Sequence, residues 1–391
     1  MTKKVLGLIL ELNPFHNGHK YFIDKVKEEI NPDLTVAIIS ASFTMRGDIS
    51  VIDKFTKAKL CIENGIDVVL ELPFVYANNS ANFFANACIS ILNDFKITHL
   101  AFGSELGDIN KLNKIYAITK TENYNNDFKS YIEKGNSYPN SSLKAFMNNC
   151  EDKELINVFS LPNNTLALAY LDAIKNTNSK IIPYTIKRVD NDYYSKDAIS
   201  GHFASATALR ELINKDKYIQ DFIPQYKYDF INTDIANEKI YQLFRYNLIT
   251  KDIKNIAGIN EGIENRLINF ITSKDYQTFV TNVQTKRYPV NRIMRIILNV
   301  IFNITKEYEN IREYEPYLRV LACNNNGLKS LKNKNIINNT KKALDSSNEE
   351  IKKILIKELE ITKIYDLITE KNIFKEEFKF IVIKNSQEIN N

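Results

Sequence analysis

The sequence predicts an α/β protein, with a doubly wound parallel sheet in its first half and a mostly α-helical second half. Three observations carry this reading. Short apolar runs alternate with segments of helical periodicity from Val5 to about Arg210, the pattern of successive βαβ units. From about Lys215 onward the strand pattern fades and most segments have helical spacing. Between the first strand and helix lies Glu11-Leu12-Asn13-Pro14-Phe15-His16-Asn17-Gly18-His19, which holds two of the chain's four histidines.

Val5 to Leu10 is short and apolar enough for a buried strand, and Tyr21, Phe22, Ile23, Val26 and Ile30 repeat at helical spacing after it. Leu34 to Ser40 is a second strand, buried on both faces. A loop with Arg46, Gly47 and Asp48 leads to a helix opening around Asp53, with Phe55, Ala58, Leu60 and Ile62 in rhythm. Asp67 to Leu72 is a third strand stopped by Pro73; Phe83, Phe84, Ala87, Ile91 and Leu92 mark the next helix; Thr98 to Phe102 is a fourth strand, ending at Gly103. Residues 108–152 are polar and helix-leaning and read as a helical insertion. Leu161-Pro162-Asn163-Asn164 then opens a helix, and Lys180 to Ile186 is a fifth strand followed by Lys187 and Arg188. A loop of tyrosine, aspartate and glycine leads to Ser205-Ala206-Thr207-Ala208-Leu209-Arg210, a helix start whose hydroxyls can cap it and face a phosphate. The domain boundary falls near Asn214, dividing the chain into 1–214 and 215–391. In the second part Lys286, Arg287, Arg292 and Arg295 form a basic run without an acid, overlapping an apolar helix from Ile293 to Ile304.

At 391 residues the chain has room for two or three domains, and 44% hydrophobic with 25% charged residues is ordinary for a soluble protein. A net charge of +5 permits a polyanionic partner without requiring one. Cys61, Cys88, Cys150 and Cys323 are scattered without CxxC spacing, so reduced thiols in a cytoplasmic protein are expected, with no zinc site. The apolar segment after Met1-Thr2-Lys3-Lys4 is too short for a signal peptide or a membrane span.

In open parallel sheets ligands collect at the carboxyl ends of the strands, and His16, Arg46, Pro73 and Gly103 all lie just past predicted strand ends. Gly18 lets the backbone approach a ligand, and the amino terminus of a helix favours an anion. Imidazole N–H donors fixed there stabilise charge on the α-phosphate and on departing pyrophosphate when a nucleoside triphosphate is attacked. His16, His19 and Arg46 are the candidate catalytic residues, with Lys54, Arg188 and Arg210 as further cations for phosphates. His99 and His202 are read as structural, and the basic run as a nucleic-acid surface.

These residues resemble a known family. NPFHNGH is similar to the HxGH signature of the nucleotidyltransferase superfamily, whose fold is Rossmann-like, and SATALR at Ser205 to Arg210 resembles its ISSTxIR motif. GLILELNPFHNGH, RGD with IDKFTKAK, VVLELPFVYANNSANFFA, FGSE, LPNNTLALAY, FASATALR, TKRYPVNRIMRIILN and PYLRVL together resemble the bacterial tRNA(Met) cytidine acetate ligase family, over Gly7 to about Leu331. The pattern SGNFxQRGEP of that family reads SASFTMRGDI here, at Ser40 to Ile49. The resemblance implies a two-step ligase that makes acetyl-adenylate from ATP and acetate, then acetylates the wobble cytidine N4 of elongator tRNA(Met). It implies ATP contacts from Gly7, Leu8, Ile9, Leu10, Glu11, Leu12, Asn13, Pro14, Phe15, His16, Asn17, Gly18, His19 and Lys20, and from Gly103, Asn163, Asn164 and Arg188, joined by Ser205 and Thr207 of the second motif. Residues 1–214 would then be the ATP-binding catalytic domain and 215–391 the helical tRNA-binding domain. Mg2+ is expected with the ATP phosphates, although no acidic cluster fixes protein ligands for it. The alternative is a small-molecule adenylyltransferase acting on a phosphorylated metabolite. A noncatalytic RNA-binding protein is disfavoured by the intact His16, Gly18 and His19.

Overall fold

The computed structural model describes residues 3–188, 203–224, 228–311 and 317–383. Strands β1 (Val5–Leu10), β2 (Leu34–Ser40), β3 (Val68–Leu72), β4 (His99–Ser104) and β5 (Ile182–Lys187) form a parallel sheet in the order β5-β4-β1-β2-β3. Every residue of β2 and β3 is buried, Glu71 included, as strands covered on both faces require. Leu10 pairs with Ile39, Ser40 with Leu72 and Ser104 with Lys187. The strands therefore end level, and the segments following β1, β2, β4 and β5 emerge along one edge.

Helices α1 (Asn17–Ile30), α2 (Lys54–Glu63), α3 (Phe74–Ala77) and α4 (Ala81–Phe95) connect the first four strands. Asp53 opens α2 as the sequence requires, its Oδ1 accepting from the Phe55 and Thr56 amides at 2.9 Å each. The segment expected to be helical contains α5 (Ile109–Thr119), α6 (Glu122–Glu133) and α7 (Tyr138–Asn149), and α8 (Lys153–Phe159) follows. These four close over their own small core, where Phe146 and Phe159 stack at 4.1 Å above Ile115 and Leu155. Helix α9 (Pro162–Asn176) returns the chain to β5, and α10 (Ala206–Asn214) follows, capped by the Ser205 hydroxyl.

The second half carries α11 (Thr233–Thr250), α12 (Ile263–Asn269), α13 (Tyr276–Val283), α14 (Val290–Ile301) and α15 (Glu307–Ile311). It does not stay helical. Strand β6 (Leu318–Asn324) is wholly buried and joins the main sheet antiparallel to β3, with Val68 opposite Cys323. After α16 (Asn325–Leu331), the short strands β7 (Ile336–Ile337) and β8 (Ile381–Ile383) both pair with β6, flanking α17 (Thr340–Ser346) and α18 (Glu349–Thr369). The fading strand pattern after Lys215 conceals β6 because Arg319 interrupts the apolar run LRVLACN, and the partners that neutralise its charge lie far away in sequence; β7 and β8, of two and three residues, are too short to show a period. Among the described residues no helix is long and apolar enough to cross a membrane, and the four cysteines are buried free thiols.

Arg319 belongs to a buried ion network. Its guanidinium donates to Glu71 on β3 at 2.6 Å and to Glu377, while Lys54 of α2 donates to Glu71 and pairs with Glu377, each at 2.6 Å. Two cations thus meet two carboxylates out of contact with water. Glu358 of α18 is a fifth buried member, and burial and the neighbouring Glu71 push it up, favouring its neutral form beside the two cations and two carboxylates. Removing one partner strands a buried charge. Arg319→Ala is expected to lower unfolding free energy by about 3–5 kcal/mol in urea titrations, whereas a change under about 1 kcal/mol would mean that this network does not stabilise the fold.

Candidate active site

The turn after β1 is built by its own histidines. His16 is the N-cap of α1, and its Nδ1 accepts from the Gly18 amide at 3.1 Å. His19 returns the bond, its Nδ1 accepting from the His16 amide at 3.2 Å, and the two rings pack 3.8 Å apart. An Nδ1 that accepts from an amide carries no proton, so each neutral ring bears its proton on Nε2. Burial and the Arg188 charge lower His16 to about 3; burial, His16 and Arg188 hold His19 well below 6.5. Two neutral imidazoles therefore each keep one N–H to offer a ligand. A Cβ on Gly18 would lie 2.9 Å from the His16 ring, so only glycine fits there.

Three further devices hold the neighbouring segments. The buried Lys57 ammonium donates to the carbonyls of Glu11, Ser40 and Ala41 at 2.9–3.1 Å, tying the ends of β1 and β2 together. Burial brings Lys57 down to about 8. Asn13 binds the Ile49 carbonyl and the Val51 amide, and its own carbonyl accepts from Arg210 of α10 at 2.8 Å. The loop with Arg46 turns at Gly47, whose φ of +86° suits glycine. A Cβ there would strike the α14 backbone at Met294 and Arg295 at 2.9 Å, and Arg295 donates to the Met45 carbonyl at 3.4 Å. The second half of the chain therefore sets the position of a loop in the first.

These segments enclose a cleft of about 400 Å³ at the carboxyl edge of the sheet. Of the residues expected to contact ATP, Ile9, Leu10, Glu11, Leu12, Asn13, His16, Gly18, His19, Gly103, Asn163, Arg188, Ser205 and Thr207 line it, as does Arg46. Gly7, Leu8, Pro14, Phe15, Asn17, Lys20 and Asn164 are not on its wall. Gly7 lies mid-strand against Ile97, and Lys20 pairs with Asp24 at 2.6 Å. Asn17 reaches the Asp221 carbonyl. Asn164 is spent on structure: its Oδ1 accepts from the Glu105 and Leu106 amides, while Glu105 accepts from the Asn163 and Asn164 amides at the start of α9. Lys54 is corrected outright: it is buried in the ion network, not at the cleft. Arg210 does line the cleft.

Thr44, Met45, Asp48, Phe84, Tyr170 and Phe203 also line the cleft; all six lie in the motifs quoted above, but the sequence assigned none of them a contact. Their contribution depends on which face of each segment turns inward. His99 hydrogen-bonds Thr98 at 2.8 Å within β4, as a structural residue should; His202 and the preceding tyrosine-rich loop lie outside the described residues. In the basic run, Lys286 and Arg287 are exposed and Arg292 is half-buried over Tyr288. The run has an acidic partner after all, since Glu261 pairs with Arg287 at 3.4 Å and Arg292 at 3.0 Å.

Paired histidines capping the first helix at the carboxyl edge of a parallel sheet define a nucleotidyl transferase of the HIGH class, and the family model for HIGH Nucleotidyl Transferase matches residues 3–379. The tRNA(Met) cytidine acetate ligase of Caldicellulosiruptor saccharolyticus is 38% identical over 347 residues, covering 85% of this chain and 86% of that protein. The protein of the same name from Fusobacterium nucleatum is 34% identical over 92% of each chain. The crystal structure of Thermotoga maritima TmcAL bound with alpha-thio ATP superposes with a TM-score of 0.85 at 27% identity, covering 97% of this chain and 100% of that one. The chain belongs to the tRNA(Met) cytidine acetate ligase family.

A pH dependence follows from the buried imidazoles. Between 6.5 and about 3 the unfolded chain binds a proton at His16 that the folded chain does not. This contribution to stability is full above the ordinary value and is lost as pH falls toward the lowered one. Urea titrations from about pH 7 to about pH 4 should show stability falling, with a slope smaller by about 1 kcal/mol per pH unit in His16→Asn. An equal slope in the variant would contradict the neutral, buried imidazole.

Proposed function

We propose that the protein is an ATP-dependent ligase that acetylates the wobble cytidine of elongator tRNA(Met) at N4. The observation that carries the reading is the pair of neutral imidazole N–H donors at the mouth of α1, in one cleft with Arg46, Arg188 and Arg210. An acetate oxygen attacks the α-phosphorus of ATP, the bond to the bridging oxygen breaks, and pyrophosphate leaves. Acetate is already ionised, so this step needs positioning and charge stabilisation rather than a base. His16 and His19 donate to phosphoryl oxygens as charge grows on them, without reorganising, and the three arginines offset the triphosphate. The cytidine amine then attacks the acetyl carbonyl and AMP leaves. Residues 1–214 carry the activation and residues 215–391 the acceptor surface. Among the described residues no cluster of three His, Cys, Asp or Glu is placed to hold a metal, so no protein ligand is assigned to the Mg2+ expected with ATP. We infer a cytoplasmic enzyme, since ATP and tRNA are its proposed substrates.

The test is incubation with ATP and labelled acetate, with and without tRNA. AMP release and label in tRNA should require all three substrates; pyrophosphate release that needs a phosphorylated metabolite instead of acetate would refute the ligase. His19→Ala should lower acetyl-adenylate formation by about 10²–10³-fold while tRNA binding persists, and an unchanged yield would remove His19 from the mechanism. For the acceptor surface, Lys286→Ala with Arg287→Ala is the cleaner pair, because Arg295 also holds the Met45 carbonyl. The double variant should weaken tRNA binding and reduce the salt slope by about two, and binding that does not move would make this run a solvated face.

A further inference from the structure

We propose that Glu11 is the base of the acetyl-transfer step, taking the proton from the cytidine N4 amine; this rests on the ligase reading above. Among the described residues, Glu11 and Asp48 are the two carboxylates lining the cleft. Asp48 faces Arg210, with 4.0 Å between Oδ2 and the guanidinium. Glu11 follows β1 directly, at the floor beneath the histidine turn. Its Oε1 accepts from the Met45 amide at 2.6 Å and the Ser40 hydroxyl at 3.4 Å, which fixes the carboxyl plane and leaves Oε2 to meet a substrate. The histidines cannot serve, because each Nδ1 is engaged by an amide and each Nε2 is protonated. The groups facing Glu11 are Lys57 of α2, Arg46 and Asp48 of the β2–α2 loop, Tyr170 of α9 and Cys88 of α4. Burial raises Glu11 above the usual carboxylate range despite the Met45 amide and the charges of Lys57 and Arg46, which makes it a stronger proton acceptor than an exposed carboxylate.

In the step, the N4 lone pair forms a bond to the acetyl carbonyl carbon, and the bond from that carbon to the AMP phosphate oxygen breaks with its electrons staying on AMP. The N4 proton passes to Oε2 and returns to solvent after product release. An amine conjugated to a pyrimidine ring is a weak nucleophile, and removing its proton as the C–N bond forms prevents reversal.

The full chain, as wild type, Glu11→Gln, Glu11→Asp and Asp48→Asn, is assayed in two ways. Acetate-dependent exchange of pyrophosphate into ATP reads the first step. Single-turnover transfer from preformed acetyl-adenylate to tRNA(Met) reads the second. Gln keeps the acceptor for the Met45 amide but is no base, so transfer in Glu11→Gln should fall by about 10²-fold or more, a far larger loss than that of exchange. The rise of the transfer rate with pH in the wild type should flatten in that variant, and Glu11→Asp should recover part of the loss. Undiminished transfer in Glu11→Gln, or transfer lost in Asp48→Asn alone, overturns the assignment. Exchange and transfer falling together in Glu11→Gln, without recovery in Glu11→Asp, makes Glu11 a brace for the Ser40 to Met45 loop and also overturns it. A wild type without acetate-dependent exchange refutes the ligase reading itself.

Discussion

Two carboxylates and two cations buried between β3, β6, α2 and the segment before β8 are the constraint on which the rest of the molecule depends. Glu71 alone, at the centre of a sheet strand, would be an uncompensated charge in an apolar layer, and so would Arg319 on β6. Together with Lys54 and Glu377 they satisfy one another, but only if the chain's last described segment returns to the edge of its first sheet. An apolar quartet of similar volume would stabilise as well or better; the charged one excludes any arrangement in which β6 pairs elsewhere or slips by a residue. The terminal region, which carries no catalytic motif, thereby determines where β6 and the helices around it can lie.

That placement reaches the cleft. Helix α2 contributes Lys54 to the network and, one turn later, Lys57 to the three carbonyls at the ends of β1 and β2. One helix thus joins the buried charges to the segments that carry the histidines and Arg46. The histidine turn completes itself by reciprocal capping, so the side chains that would otherwise be mobile donors are part of the helix terminus. A donor held by its own backbone needs no reorganisation when charge develops beside it.

Most of the sheet and the heart of the site were legible in the sequence, since both are local. Predominantly apolar runs become β2 and β3, Asp53 and Ser205 cap the helices they announce, and the HxGH spacing places two imidazoles at one helix end. What remained hidden depends on partners distant in sequence. Lys54 resembles a phosphate-binding cation until Glu71 and Glu377 are seen around it, and β6 resembles nothing regular until those same acids explain Arg319. Asn164 has the composition of a ligand contact, yet its side-chain amide is consumed by the Glu105 and Leu106 amides and the Val158 carbonyl. Glu261 is 31 residues from Arg292, so no local reading of the basic run could include it.

The contact between Gly47 and α14 bears on how two steps share one cleft. Arg46 sits on a loop whose turn admits no side chain because the α14 backbone presses against it, and Arg295 holds the Met45 carbonyl from the same helix. Met45 in turn donates to Glu11 at the cleft floor. A chain of direct contacts therefore runs from the helix that carries the basic run, through the loop that carries Arg46, to the carboxylate beside the histidines. Under the proposed function, an acceptor that leans on α14 meets the helix that holds the loop offsetting the phosphate charge. The departure of this loop from the family pattern, SASFTMRGDI for SGNFxQRGEP, keeps Arg46, Gly47 and an acid at Asp48. Gly47 is the residue the α14 contact requires, and Arg46 and Asp48 are on the cleft wall. The altered positions Ala41, Met45 and Ile49 make their holding contacts through backbone groups, which the exchange of side chains leaves in place.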